Sequence, residues 1–177
     1  MRPLIFGSLL LMLCVNTYAN NRGYLKIDGS VVSRTCAVNG SNSGDQTLTL
    51  DDIYTYKLDS SGKTTGMKDA TLELNGIGCD ASIYKIQFKN GATVDSTTGN
   101  LKNIALTGTA ASEVQIQLLD GNSQVLDLRT DPILRCNQTG SGDAATLSCL
   151  YKYQYYATGK STAGDVSTSI MYEVSYN

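Results

Sequence analysis

Histidine is absent from all 177 residues. The commonest general base, and the usual partner of a Ser or Cys nucleophile, is therefore missing. Carboxylates alone could cleave a glycosidic bond if two of them flanked it. The pairs on offer are Asp51 with Asp52, and Asp127 with Asp131. Neighbours on a strand point to opposite faces, so Asp51 and Asp52 make a poor pair, and acidic loop residues mostly serve solvation. The expectation is a protein that is not an enzyme. Cys36, Cys79, Cys136 and Cys149 could ligate zinc, but no CxxC spacing and no His accompany them. No metal or cofactor is expected. Tyr151, Tyr153, Tyr155 and Tyr156 could stack on a sugar ring. The first three share one face of a strand, where packing against cross-strand neighbours is the stronger reading.

The elements that would carry these groups begin after a targeting segment. Arg2, an apolar run to Val15, the polar stretch from Asn16 and a small residue at Ala19 have the form of a secretory signal peptide over 1–19. The run is too short to span a membrane, and Leu13 before Cys14 argues against a lipid anchor. Removing 1–19 leaves 158 residues, enough for one domain with a sizeable core. Without Arg2 there are 13 basic against 16 acidic residues and no long run of either sign. Nucleic acid and anionic membranes are not invited. Four cysteines in an exported chain imply two disulfides, with three possible pairings. Cys36–Cys79 with Cys136–Cys149 is favoured, because the latter two are thirteen apart in a Gly/Ser-rich stretch.

Short alternating runs punctuated by Gly, Asn, Asp and Ser predict an antiparallel β-sandwich. The expected strands are 24–32, 46–50, 71–79, 83–89, 101–106, 114–119, 124–127, 147–158 and 166–176. Turns are expected at 89–91 and 120–122, and a short helical turn at 51–55. The last strand places Val166, Thr168, Ile170, Tyr172, Val174 and Tyr176 on one face, almost to the final residue. Termini fray unless something pairs with them, so this strand invites a partner. Near the other end, Leu25, Ile27, Gly29 and Val31 share a face. Gly29 within it marks a close approach by another backbone.

These ends and the segments between them resemble subunits of chaperone–usher pili of the type 1 and P pilus kind. The resemblance rests on GYLKIDGSVVSRTCAV (23–38), TLELNGIGC (71–79), VQIQLLDG (114–121) and YYATG (155–159) running through to Tyr176. Gly164, fourteenth from the end, and the penultimate Tyr176 look like that family's chaperone-recognition signature. The resemblance implies an all-β, incomplete immunoglobulin-like sandwich, the pilin fold, completed by a donor strand from another chain. Residues 20–35 would be the donor arm and 36–177 the pilin domain. Leu25, Ile27, Gly29 and Val31 would be inserted into a groove whose acceptor edge is Gly164, Val166, Thr168, Ile170, Tyr172, Val174 and Tyr176. The implied partners are a periplasmic pilus chaperone, an outer-membrane usher and neighbouring subunits, on a route through the periplasm to a surface fimbrium that serves adhesion. The sixteen-residue arm resembles those of minor adaptor subunits. The Cys136–Cys149 pair is additional to the single bridge most such subunits carry. The rival reading is a secreted carbohydrate-binding adhesin module built on the Tyr-rich strand.

Overall fold

A computed structural model of the chain describes residues 23–31, 37–38, 44–75, 84–141 and 144–176. The expected signal peptide 1–19 and the expected Cys36–Cys79 pair lie outside these residues.

Eleven strands form among the described residues: β1 (Gly23–Val31), β2 (Ala37–Val38), β3 (Gln46–Leu50), β4 (Thr64–Asn75), β5 (Tyr84–Phe88), β6 (Leu101–Lys102), β7 (Val114–Asp120), β8 (Ile133–Leu134), β9 (Asn137–Thr139), β10 (Thr146–Ala157) and β11 (Val166–Tyr176). One sheet has the order β3-β1-β11-β5-β8 and the other β2-β4-β10-β7-β6, with β9 also on β10. Between them lie Leu72, Leu74, Ile86, Phe88, Ile116, Leu118, Leu147, Tyr151, Ile170 and Tyr172, all buried. Each such side chain contributes about 1.5–3 kcal/mol by leaving water.

The alternation that predicted the sandwich holds on β3, β10 and β11, each with one face in this core. Where the expected strands differ, a side chain or a turn intervenes. The strand expected over 101–106 stops at Lys102. Asn103 turns inward there, donating to the carbonyls of Ala111 (2.9 Å) and Asp165 (2.8 Å) while its own oxygen accepts from the amides of Ala105 and Ser167. Over 124–127 the pairing shrinks to a single antiparallel bridge, Val125 with Leu119, beside a turn in which Asp120 accepts from the amides of Asn122 and Gln124. β4 begins at Thr64, inside a stretch that reads as loop. Gly66, at φ +70, lies in a bulge opposite Gln154, and a Cβ at this glycine would lie 3.1 Å from the Tyr155 ring. The helical turn expected at 51–55 forms slightly later, as a 3-10 turn over Thr55–Leu58.

Cys136 and Cys149 are joined by a disulfide. Its place explains its use. β8 belongs to the first sheet and β9 to the second, so the chain changes sheets at residues 135–136. The bond pins that crossing to the buried Cys149 of β10, and in the chain-entropy view a loop of this length contributes about 3 kcal/mol.

The groove beside the terminal strand as candidate functional site

On β11, Val166, Thr168, Ile170, Tyr172 and Val174 are buried, while Met171 and Glu173 are exposed, as the alternation predicts. One backbone edge of β11 is satisfied by the body of the chain. Residues 172–176 pair with β5. Nearer its start, Met171 O accepts from the Lys89 amide, Ser169 O from the Thr93 hydroxyl and Ser167 O from the Ile104 amide, all at 2.7–2.9 Å. Lys89 in turn meets Asp131 at 2.9 Å and Glu173 at 3.5 Å.

The other edge of β11 is satisfied by β1 alone, over nine residue pairs from Gly23↔Val166 to Val31↔Val174, and the two strands run parallel. β1 also pairs antiparallel with β3 over five residues. It is thus the middle strand of its sheet, and nothing else among the described residues bridges β3 to β11. The arm expected to serve another chain lies here in its own groove. Its register matches the sequence pattern, since Leu25, Ile27, Gly29 and Val31 are level with Thr168, Ile170, Tyr172 and Val174. Gly29 is level with the fully buried Tyr172, whose hydroxyl donates to Gly44 O. Thr168 is 1 % exposed and its hydroxyl has no hydrogen-bond partner among the described residues.

The Tyr-rich strand forms the opposite wall of the groove. Tyr151, Tyr153 and Tyr155 are all at most 4 % exposed, so their rings are core and not a sugar platform. Their hydroxyls cross the sandwich to β3 and the residue after it, donating to Gln46 Oε1 (2.8 Å), Thr49 O (3.2 Å) and Asp51 O (3.3 Å). They hold β3 in place as the groove's outer rail. Burial keeps them neutral donors, pushing Tyr155 and Tyr172 up to about 12 and Tyr151 higher still. Tyr156 is half-buried on the other face.

At the end of the groove where β11 starts, a pocket opens among Ile53, Leu58, Ala111, Val114, Tyr155 and Val166. The residue of β1 level with Val166 is Gly23, which has no side chain to offer it. Gly164 precedes β11, and a Cβ there would lie 2.4 Å from Ala111 N and 2.5 Å from Thr109 O. The close approach lets Asp165 exchange backbone hydrogen bonds with Thr109 and Ala111. That is why glycine stands at this position.

Of the carboxylates considered for catalysis, Asp51 is paired with Lys68, and Asp127 and Asp131 are tied to their own neighbours. Asp127 caps a 3-10 turn and pairs with Arg129 (2.7 Å), and the hydrogen bonds from Arg129 hold its carboxyl below the usual range. Asp131 is likewise held low by the Asn90 amide and Lys89. A general acid needs the opposite shift. Sequence reasoning missed Asn103, which carries no motif; Thr168 was placed on its face of the strand, but its buried, unpartnered hydroxyl left no mark in the sequence.

Comparison with known proteins gives concordant results. The profile of a family described as fimbrial protein matches residues 25–177. The chain is 35 % identical to the F17 fimbrial protein of Escherichia coli over 159 residues, 87 % of each chain. It is 32 % identical to the major fimbrial subunit SMF-1 of Stenotrophomonas maltophilia, covering 88 % of this chain and 92 % of that one. It is 30 % identical to a type-1 fimbrial protein C chain of Escherichia coli, covering 97 % and 94 %. Among solved structures, a type I fimbria protein of Burkholderia pseudomallei superposes with a TM-score of 0.50 at 18 % identity, over 88 % of this chain and 95 % of that one. That likeness concerns the fold.

Proposed function

Since the chain belongs to the fimbrial protein family, we propose that this structural fimbrial subunit joins its neighbours by donor-strand exchange, the arm of one copy replacing β1 in the groove of the next. The single observation that carries the reading is that a strand next to the chain's start supplies one whole edge of β11 and, among the described residues, the only bridge to β3. With 1–19 removed on export the strand would be attached only at one end, the kind that can be exchanged, and addition of an extended segment to a sheet edge is an established mode of recognition.

Physics favours a neighbour's arm inserted in the opposite direction. Parallel pairing is slightly weaker per residue than antiparallel. Reversal would make the nine-residue ladder on β11 antiparallel and only the five-residue ladder on β3 parallel. Turned about Ile27, the arm keeps Ile27 level with Ile170, brings Gly29 to Thr168, and sets Val31 beside Val166 and its open pocket in place of Gly23. A branched apolar residue would then fill the hollow that the chain's own arm leaves.

On this reading 1–19 is removed on export, 20–35 is the donor arm and 36–177 the domain that receives one. A periplasmic chaperone would hold the groove before assembly and an outer-membrane usher would catalyse the exchange. The kinship with a protein named as a major subunit supports a repeating place in the fibre over the adaptor place suggested by the arm's length. The test is to append a second copy of residues 20–35 to the C-terminus through a flexible linker long enough for antiparallel entry. The fused chain should melt higher by about 10 °C, given roughly 2–4 °C per kcal/mol at this size. An unchanged melting temperature, in a parent that is already a stable monomer without a chaperone, would contradict the reading.

A further inference from the structure

Just beyond β3, at the mouth of the groove, Tyr54 and Tyr56 are 74 % and 64 % exposed. Their rings stack at 5.7 Å and 15°. Lys57 already lies 5.3 Å over the Tyr56 ring, while no cation lies over Tyr54 among the described residues. Asp51 is paired with Lys68 at 2.6 Å, whereas the exposed Asp52 has no partner among them. The same segment forms the rim, because Ile53, Thr55 and Leu58 line the mouth pocket with Val166.

We propose, resting on the donor-strand reading above, that this rim receives Arg34 of the neighbouring copy of the chain, its guanidinium meeting the Asp52 carboxylate and the open face of Tyr54. The chain lengths set the occupant. A reversed arm runs toward the mouth and parallel to β3, with Val31 level with Leu50 and Val166. An extended run of three residues covers about 10 Å, so Arg34 of such an arm is within reach of the level of Ile53. Only five residues, 32–36, separate Val31 from β2 of the arm's own domain, so that domain begins within about 18 Å of this rim. A planar, always-charged guanidinium suits both a carboxylate and an aromatic face. The chain's own arm cannot deliver the contact. Its Val31 is level with Val174, eight residues or about 26 Å along the groove from Val166.

The contact would select for a neighbour entering in the reversed direction and would seat its domain on the mouth. The test uses the full mature chain and synthetic peptides of residues 20–35, with capture in the groove read by fluorescence anisotropy. The Arg34→Glu peptide should be captured about fivefold less well than the native one, and an Asp52→Lys chain should reverse that order. Tyr54→Ala should weaken capture of the native peptide about threefold and leave that of an Arg34→Ala peptide unchanged. Equal capture of the native and Arg34→Glu peptides by both chains would overturn the proposal while leaving donor-strand exchange intact. Failure of every peptide to enter the groove would overturn both. Retained peptide capture by Tyr54→Ala, with loss of binding on a glycan array, would assign the rim to sugar instead.

Discussion

Gly164 shows how much one missing Cβ can decide. The sequence marks it only by distance from the end, but in the fold it is the point where residues 109–111 cross at under 3 Å from where a Cβ would stand. Gly164→Ala should break the hydrogen bonds that Asp165 exchanges with Thr109 and Ala111, costing about 3 kcal/mol, and lower the melting temperature by roughly 10 °C in a thermal scan. The tyrosines of β10 were legible as one face of a strand, yet their purpose was not, because their partners on β3 lie about a hundred residues away in sequence. Tyr151→Phe should cost about 1 kcal/mol by leaving Gln46 Oε1 without its donor. Burial of these phenols also sets an alkaline limit. In the unfolded chain they lose protons near pH 10, and in the folded one Tyr155 and Tyr172 hold theirs to about 12. Above pH 10 the unfolded state therefore binds fewer protons, and stability falls as pH rises, while below pH 10 this contribution is present in full. In an alkaline titration the tyrosinate absorbance that Tyr155→Phe removes should accordingly appear only as circular dichroism reports unfolding, and its appearance well ahead of unfolding would contradict the burial.

β11 and β10 were readable almost to the residue, because each has one face in the core and a strict period of two. β4 was half hidden, since Thr64–Lys68 is polar and carries a bulge glycine, and the run after Lys102 was misread because one asparagine satisfies four backbone groups that a strand would otherwise pair. The buried face of β11 was likewise legible as pattern. What pattern could not say is that β1 lies parallel in its own groove, because a period of two is blind to strand direction. Gly29 tests this level. A leucine there must be accommodated level with Tyr172 in the chain's own groove, or near Thr168 in a reversed arm. Gly29→Leu should lower the monomer's melting temperature by several degrees and cut its incorporation into fibres, seen by electron microscopy of cells carrying the matching chaperone and usher. Normal fibres from this variant would argue against the arm's placement.

At the scale of the whole molecule, the sandwich lacks one strand of its own body and borrows it from a segment near its start. On the donor-strand reading the same segment completes either its own chain or the next, and a monomer and a fibre then share one set of apolar faces and differ in the direction of one strand. The tyrosine struts hold β3 in place on one side of the groove. Cysteine pairs distinguish the two fillings most directly. In the chain's own groove Val31 is level with Val174, and in a reversed neighbour's arm it is level with Val166. Fibres assembled from a Val31→Cys/Val166→Cys chain should run as a covalent ladder on a non-reducing gel, whereas Val31→Cys/Val174→Cys should close within single chains before assembly. Fibres whose Val31→Cys/Val166→Cys subunits all migrate as monomers would contradict donor-strand exchange in this groove.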